Sequence, residues 1–231
     1  MQLPAATAAV TFYELVANHQ NVLDAYQKGS EAQSWTVHGH TASGPFTFKG
    51  GNRYADTADI TFGSSFDLPD LVYLLTNVDG VTVDSVDVTS NVVDDSSVLR
   101  IVGADQRVGG TWHAVDAHKP LLLKAHSQVT LRLRYAGGTH GPAFHVAVPA
   151  GTSGFRGVLS ASEAEGYPFE RGFPRTLAGV KKLVQKAERN DQAQIDFFAF
   201  GGKATSVRSH QVTAPGSKVI TGHLNLRVKV S

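Results

Sequence analysis

The sequence predicts a mainly β fold: an immunoglobulin-like β-sandwich over about 31–160, an N-terminal helix over 1–30 before it, and a helix-plus-hairpin portion over 161–231, with a shared body for the last two left open. Three observations carry that prediction. Apolar residues recur at every second position in several runs, Gly, Pro and Asp punctuate those runs at spacings of about 8 to 14 residues, and helix-like spacing is confined to short stretches. The clearest run is Pro120 to Val148. There Val129, Leu131, Leu133 and Tyr135 share one face and Thr130, Arg132 and Arg134 the other, the pattern of a strand with one buried side. Gly137, Gly138, Thr139, His140 and Gly141 make a turn, after which Phe144, Val146 and Val148 resume the alternation until Pro149 removes a ladder donor.

Taken in order, Phe12, Leu15, Val16, His19, Val22, Leu23 and Tyr26 fall on one stripe, which predicts a helix over 11–28 with Gly29 as its C′ residue. That stripe is too apolar to stay in water and is expected to dock on the sandwich. Strands follow at SWTVHGH and GPFTFKG, and then in a segment where Ile60, Phe62, Ser64 and Phe66 share a face. Gly44-Pro45 and Gly50-Gly51-Asn52 read as the turns between them. Asp67 reads as the N-cap of a short helix carrying Leu71, Val72, Leu74 and Leu75. From Gly80 to Val93 the apolar phase changes between Val83 and Val86, which predicts a β-bulge or a strand passing between two sheets.

Shorter strands are expected at 98–102, 107–115 and 121–124. Gly151 to Arg175 reads as a linker or long loop. Thr176 caps a helix with a Leu177, Val180, Leu183, Val184, Ala187 stripe, and Ile195, Phe197 and Ala199 then alternate as a strand. A hairpin is expected between 207–213 and 218–230 across Ala214-Pro215-Gly216-Ser217, with Leu224, Leu226, Val228 and Val230 on one face of its second strand.

Composition bounds the function. The 231 residues can enclose a sizeable core without a disulfide, and the absence of Cys excludes thiolate catalysis. Twenty-one Lys and Arg against 20 Asp and Glu, with no basic stripe, argue against a nucleic-acid partner. No apolar run reaches the roughly 20 residues of a membrane helix, so no membrane insertion is expected. The segment MQLPAATAAV lacks the basic head and apolar middle of a signal peptide, which leaves open a cytoplasmic start or a start after a removed signal.

Several short pieces together carry a family resemblance. They are Asn52-Arg53-Tyr54 followed by Asp59-Ile60, Val129-Thr130-Leu131-Arg132-Leu133, Val148-Pro149-Ala150-Gly151 followed by Gly157-Val158-Leu159, and Leu177 to Asp191 ending in Arg189-Asn190-Asp191. Over about 45–231 the chain resembles the non-catalytic, β-rich accessory region of secreted actinobacterial proteins related to the SpoIVB-type serine peptidases. The peptidase of that family sets its nucleophile in Gly-x-Ser-Gly-Ser-Pro. Here Gly151-Thr152-Ser153-Gly154 runs into Phe155-Arg156, so the match stops short of the diagnostic residues. The resemblance implies an accessory module, secreted or held in the cell envelope.

Individual candidates are read against their ordinary roles. Ser153 is a turn residue first and a hydrolase nucleophile only as an alternative. His38 and His40 share a strand face, and His113, His118, His126, His140 and His145 add to a total of ten His, but no third ligand stands at a recognisable metal spacing. Asp56, Asp59, Asp67, Asp70, Asp94 and Asp95 read as loop caps, since calcium needs a denser oxygen run. Trp35, Trp112, Phe46, Phe48, Tyr54 and Tyr73 are mostly core, with one or two rings free for a ligand. The expectation is therefore a non-enzymatic module with no cofactor and no metal, recognising a peptide, glycan or protein. A self-assembling subunit of a surface layer or filament is the alternative.

Overall fold

The computed structural model describes residues 4–23, 27–164, 173–200 and 205–231, with backbone only for 205–211. Within them the chain is mainly β and divides into two units, Met1–Ser97 with Glu165–Asn190, and Val98–Ala164 with Asp191–Ser231. This division differs from the three consecutive parts expected above, because strands 29–93 belong to one unit and the sandwich-like strands to the other.

Unit 1 is a three-stranded antiparallel sheet of β1 (Gly29–Thr41), β2 (Gly44–Asp56) and β3 (Thr82–Val93), in the order β2-β1-β3. Glu31, Gln33, Trp35 and Val37 face inward along β1, and the helices α1 (Pro4–Leu23), α2 (Ile60–Gly63), α3 (Asp67–Thr76) and α4 (Leu177–Val184) belong to the same unit. α3 supplies Leu68, Leu71, Val72, Leu74 and Leu75 to a core shared with Leu15, Trp35, Phe48 and Val180.

Several expectations are corrected here. α1 begins at Pro4, because the Ala-rich segment after that proline favours helix, and Tyr26 lies outside the described residues. His19 rather than Val22 takes the buried place, since Val22 is 81% exposed. The expected strand through Ile60 and Phe66 is instead α2 and the lead into α3. A run spaced by two also contains i, i+4 pairs, and here Ile60 pairs with Ser64 inside while Phe62 pairs with Phe66 outside. Asp59 decides for helix by capping α2, its carboxylate accepting from the Thr61 N–H at 3.1 Å and the Thr61 hydroxyl at 2.6 Å. Asp67 is the first helical residue of α3, and Phe66 occupies the cap position. The expected bulge is present: the register of β1 and β3 shifts so that Asp84 is extra opposite His38 and Gly39, and the strand stays in one sheet.

Unit 2 is sandwich-like. Its strands are β4 (Leu99–Val108), β5 (Thr111–Ala114), β6 (Leu121–Leu123), β7 (Ser127–Tyr135), β8 (Phe144–Val148), β9 (Arg156–Glu163), β10 (Gln192–Phe200), β11 (Thr205–Thr213), β12 (Ile220–Thr221) and β13 (His223–Val230). One sheet runs β11-β10-β9-β13-β6, the other β12-β4-β7-β8 with β5 paired to β4. Leu131, Leu133 and Tyr135 from the second and Leu159, Ile195, Phe197, Leu226 and Val228 from the first join one core. Thr176 caps α4 of unit 1 as expected, accepting from the Gly179 N–H at 3.1 Å, and β7 and β8 pair as read.

The stretch taken as a loop over 151–175 holds β9, the central strand of its sheet, while 165–172 lie outside the described residues. Its inward residues are Gly157, Leu159 and Ala161, so the alternation is written mostly in small side chains. A Cβ on Gly157 would stand 1.9 Å from the Phe198 carbonyl oxygen, which explains the glycine. The expected C-terminal hairpin is also corrected. β11 pairs with β10, whereas β13 pairs with β9 and, in parallel, with β6. Gly216, at φ 65°, makes the turn, but the strands it separates go to different neighbours.

Candidate functional site

Two adjacent glycines in the middle of a strand mark a pocket of unit 1. Gly50 and Gly51 were read as a turn, yet β2 runs straight through them. Gly50 lies opposite Trp35, and a Cβ there would meet the indole Nε1 at 2.6 Å; a Cβ on Gly51 would meet the Gln33 carbonyl oxygen at 2.6 Å. Beside these residues lies a pocket of about 590 Å³ between β1, β2 and the chain just after α4. Its floor includes Gln33, Trp35 and Asn52, and its rim Lys49, Glu188 and Arg189.

The floor carries buried polar groups. Among the described residues Trp35 Nε1 and Gln33 Oε1 have no hydrogen-bond partner, although the residues are only 5% and 4% exposed. A buried donor and a buried acceptor without partners beside one pocket are costly, about 1–3 kcal/mol each. The Gln33 amide is oriented from its other end, where Nε2 donates to Glu31 Oε1 at 3.1 Å. His19 Nε2 approaches the same oxygen at 3.1 Å and the Ser90 hydroxyl at 3.4 Å. Burial pushes the Glu31 carboxyl up, but hydrogen bonds from His19, Ser64 and Ser90 and the charge of His19 more than offset it, so the net direction is down.

The far wall is stapled in place by amides. Asn52 Nδ2 donates to Asp67 Oδ2 at 2.6 Å, and the Tyr54 hydroxyl donates to the same oxygen at 2.8 Å. Asn52 Oδ1 accepts from the Asn190 N–H at 2.7 Å, and Asn190 Nδ2 donates to the Arg53 carbonyl at 2.8 Å. These bonds fix the segment after α4 against β2, which makes the pocket preformed.

The remaining sequence candidates fall elsewhere. His38 and His40 do share a face, but each meets its own carboxylate, Asp87 at 3.2 Å and Asp84 at 2.8 Å. His145 Nδ1 lies 3.0 Å from the Thr130 hydroxyl, His140 lies 3.3 Å from Asp105, and His113, His118 and His126 are exposed. Among the described residues no three His, Cys, Asp or Glu stand together as a metal group. Asp56 and Asp95 cap their own turns, accepting from Ala58 and Ser97. Asp94 is exposed, and partial burial with the Asp67 charge raises the Asp70 carboxyl. Ser153 sits exposed in the turn between β8 and β9. Of the six aromatic candidates, Trp35, Phe48 and Tyr54 are buried, while Phe46, Tyr73 and Trp112 are partly covered.

Sequence reasoning missed Gln33, Gly50, Gly51 and Asn190 as site residues. The signal available was the Gly-Gly pair inside an otherwise continuous period-2 run, which fits close backbone approach as well as it fits a turn. Comparisons of the chain with protein-family models, curated proteins and solved structures give no match. No helix among the described residues is long and apolar enough to cross a membrane.

Proposed function

We propose that the protein is a non-catalytic recognition module whose pocket in unit 1 takes a short polar segment of a peptide. The observation that carries this reading is the unsatisfied buried pair beside that pocket, the Trp35 Nε1 donor and the Gln33 Oε1 acceptor. A peptide backbone presents a carbonyl for the first and an N–H for the second, and the mixed charges of Lys49, Glu188 and Arg189 suit its side chains or ends. A glycan fits less well, because sugar recognition favours an exposed aromatic face and Trp35 offers only its N–H edge. An extracellular or cell-envelope setting and an accessory role beside a serine-peptidase-like protein belong to the same proposal, supported by the sequence pieces that resemble that region. So does an immunoglobulin-like character for the sandwich of unit 2, supported by two largely antiparallel sheets closed over alternating inward residues.

The test is selection from a displayed peptide library on immobilised protein, followed by calorimetry of a selected peptide with Gly50→Ala. The added Cβ intrudes on the indole edge, so binding is expected to weaken by about tenfold or more. Selection of no peptide, or of peptides that bind Gly50→Ala equally well, contradicts the reading.

Self-association is a second reading with its own observation. Phe12, Tyr13, Phe62 and Phe66 form a ring cluster with centroids 5.1 to 5.9 Å apart, and Tyr13 and Phe62 are 69% and 53% exposed. Light scattering across a concentration series, on wild type and Phe62→Ser, decides it: a concentration-independent monomer removes this reading.

A further inference from the structure

The outer face of the β4-β7 pair in unit 2 gathers charge around a single carboxylate. Asp105 is 4% exposed, and Arg132 stands opposite it in the ladder. Its Oδ2 accepts from Arg132 Nε at 2.8 Å and lies 3.3 Å from His140 Nε2, while Oδ1 lies 3.2 Å from Arg134 Nε. Arg134 is laid flat on the sheet, its Nη2 standing 2.5 Å from where a Cβ on Gly103 would be. The Trp112 ring holds Arg132 from the other side, with its guanidinium carbon 4.5 Å from the ring centre, and Arg107 approaches the same ring at 5.9 Å.

One carboxylate requires one cation. Here Arg132 and Arg134 both flank it and Arg107 stands at the neighbouring Trp112 ring, so positive charge is in surplus, with Arg132 and Arg134 side by side on one strand face where like charges repel. Asp105 accepts a hydrogen bond from Arg132 Nε and is ion-paired with Arg134 at its Nε, in each case the nitrogen nearest the backbone. Among the described residues no hydrogen bond or ion pair uses their Nη groups, which form the forked edge that pairs with carboxylate or phosphate. Asp105 and Trp112 thus act as positioning residues that hold two forks ready at little entropic cost.

We propose that this face is an oxyanion site, taking the carboxylate or phosphate group of an acidic ligand across the Nη edges of Arg132 and Arg134, with Arg107 and Trp112 beside it. The site is independent of the pocket in unit 1.

The chain has two Trp, so ¹H–¹⁵N spectra show two indole signals, and Trp112 is assigned by Trp35→Phe. The probes are inorganic phosphate, trigalacturonate and neutral maltotriose. Phosphate or trigalacturonate is expected to shift Trp112, with affinity falling as salt rises, while maltotriose is silent. Equal affinity for the two anions marks a small free anion as the ligand, and about tenfold preference for trigalacturonate marks an acidic glycan; both support the site. Arg134→Gln leaves Asp105 paired with Arg132 and His140, so the fold is retained and affinity is expected to drop about tenfold. A paired variant, Asp105→Asn with Arg132→Gln, removes both charges together and is expected to lose binding as well. The proposal is overturned if neither anion moves Trp112, or if both variants bind phosphate as wild type does.

Discussion

Unit 2 covers one sheet with another, and its interior is almost wholly apolar: Leu131, Leu133, Leu159, Ile195 and Phe197 touch across it. Unit 1 covers a single three-stranded sheet with helices, and beneath them lie Glu31, Gln33, Asn52 and His19, all buried. Polar groups in such places cost stability unless each is satisfied. The contrast teaches where specificity resides. The largely apolar interior needs mainly size and alternation, whereas the polar interior sets Gln33 and Asn52 beside a pocket where one buried donor and one buried acceptor have no partner among the described residues.

Several experiments break or sharpen that contrast, and the largest effect belongs to α1. Deleting residues 1–27 removes Leu15 from the core and leaves Glu31 without His19, so unit 1 is expected to lose its folded signals. The Trp35 indole resonance should collapse to its unfolded position while that of Trp112 stays. Persistence of both would show that the buried polar layer does not depend on the helix.

Next in size is His19→Ala, which strands a buried carboxylate and is expected to cost unit 1 about 3–5 kcal/mol in chemical denaturation at neutral pH. A loss no greater than that of an exposed substitution would contradict the reading of Glu31 as held by this partner.

The acid limb follows from the same residue. Because the folded pKa of Glu31 lies below the ordinary 4.5, its contribution is present above that value and is lost as pH falls through and below it. Unit 1 should therefore weaken on acidification beneath about pH 4.5, and Glu31→Gln should flatten that part of its stability profile. An unchanged profile in the variant would assign the acid sensitivity elsewhere.

The smallest effect is expected in unit 2. The Tyr135 hydroxyl is buried with no partner among the described residues, and burial pushes its pKa up to about 12. Tyr135→Phe removes that hydroxyl without opening a cavity, so the melting temperature should hold or rise slightly. In spectrophotometric titration it should also delete the phenol that ionises last. A marked loss of stability would mean that the hydroxyl has a partner.

The two units also differ in how far their sequences could be read. Alternation in Val129 to Tyr135 and in Leu224 to Val230 is written in large side chains, so those strands and their inward faces were legible. β9 was not, because a central strand that must admit the Phe198 backbone alternates through Gly157 and Ala161. In unit 1 the Ile60 to Phe66 segment carried spacings common to strand and helix, and only the Asp59 cap separated them. The pocket was the least legible feature. Its glycines resemble a turn, and its polar floor is assembled by contacts between residues as distant as Asn52 and Asn190.

The central claim is that the pocket of unit 1 is a peptide site, and the two tryptophans test it directly, since one lies in each unit. Titrating ¹⁵N-labelled protein with a library-selected peptide should shift the Trp35 indole N–H, which gains a hydrogen-bond acceptor, and leave that of Trp112 in place. Movement of Trp112 alone, or of neither signal while calorimetry still reports binding, would contradict the account.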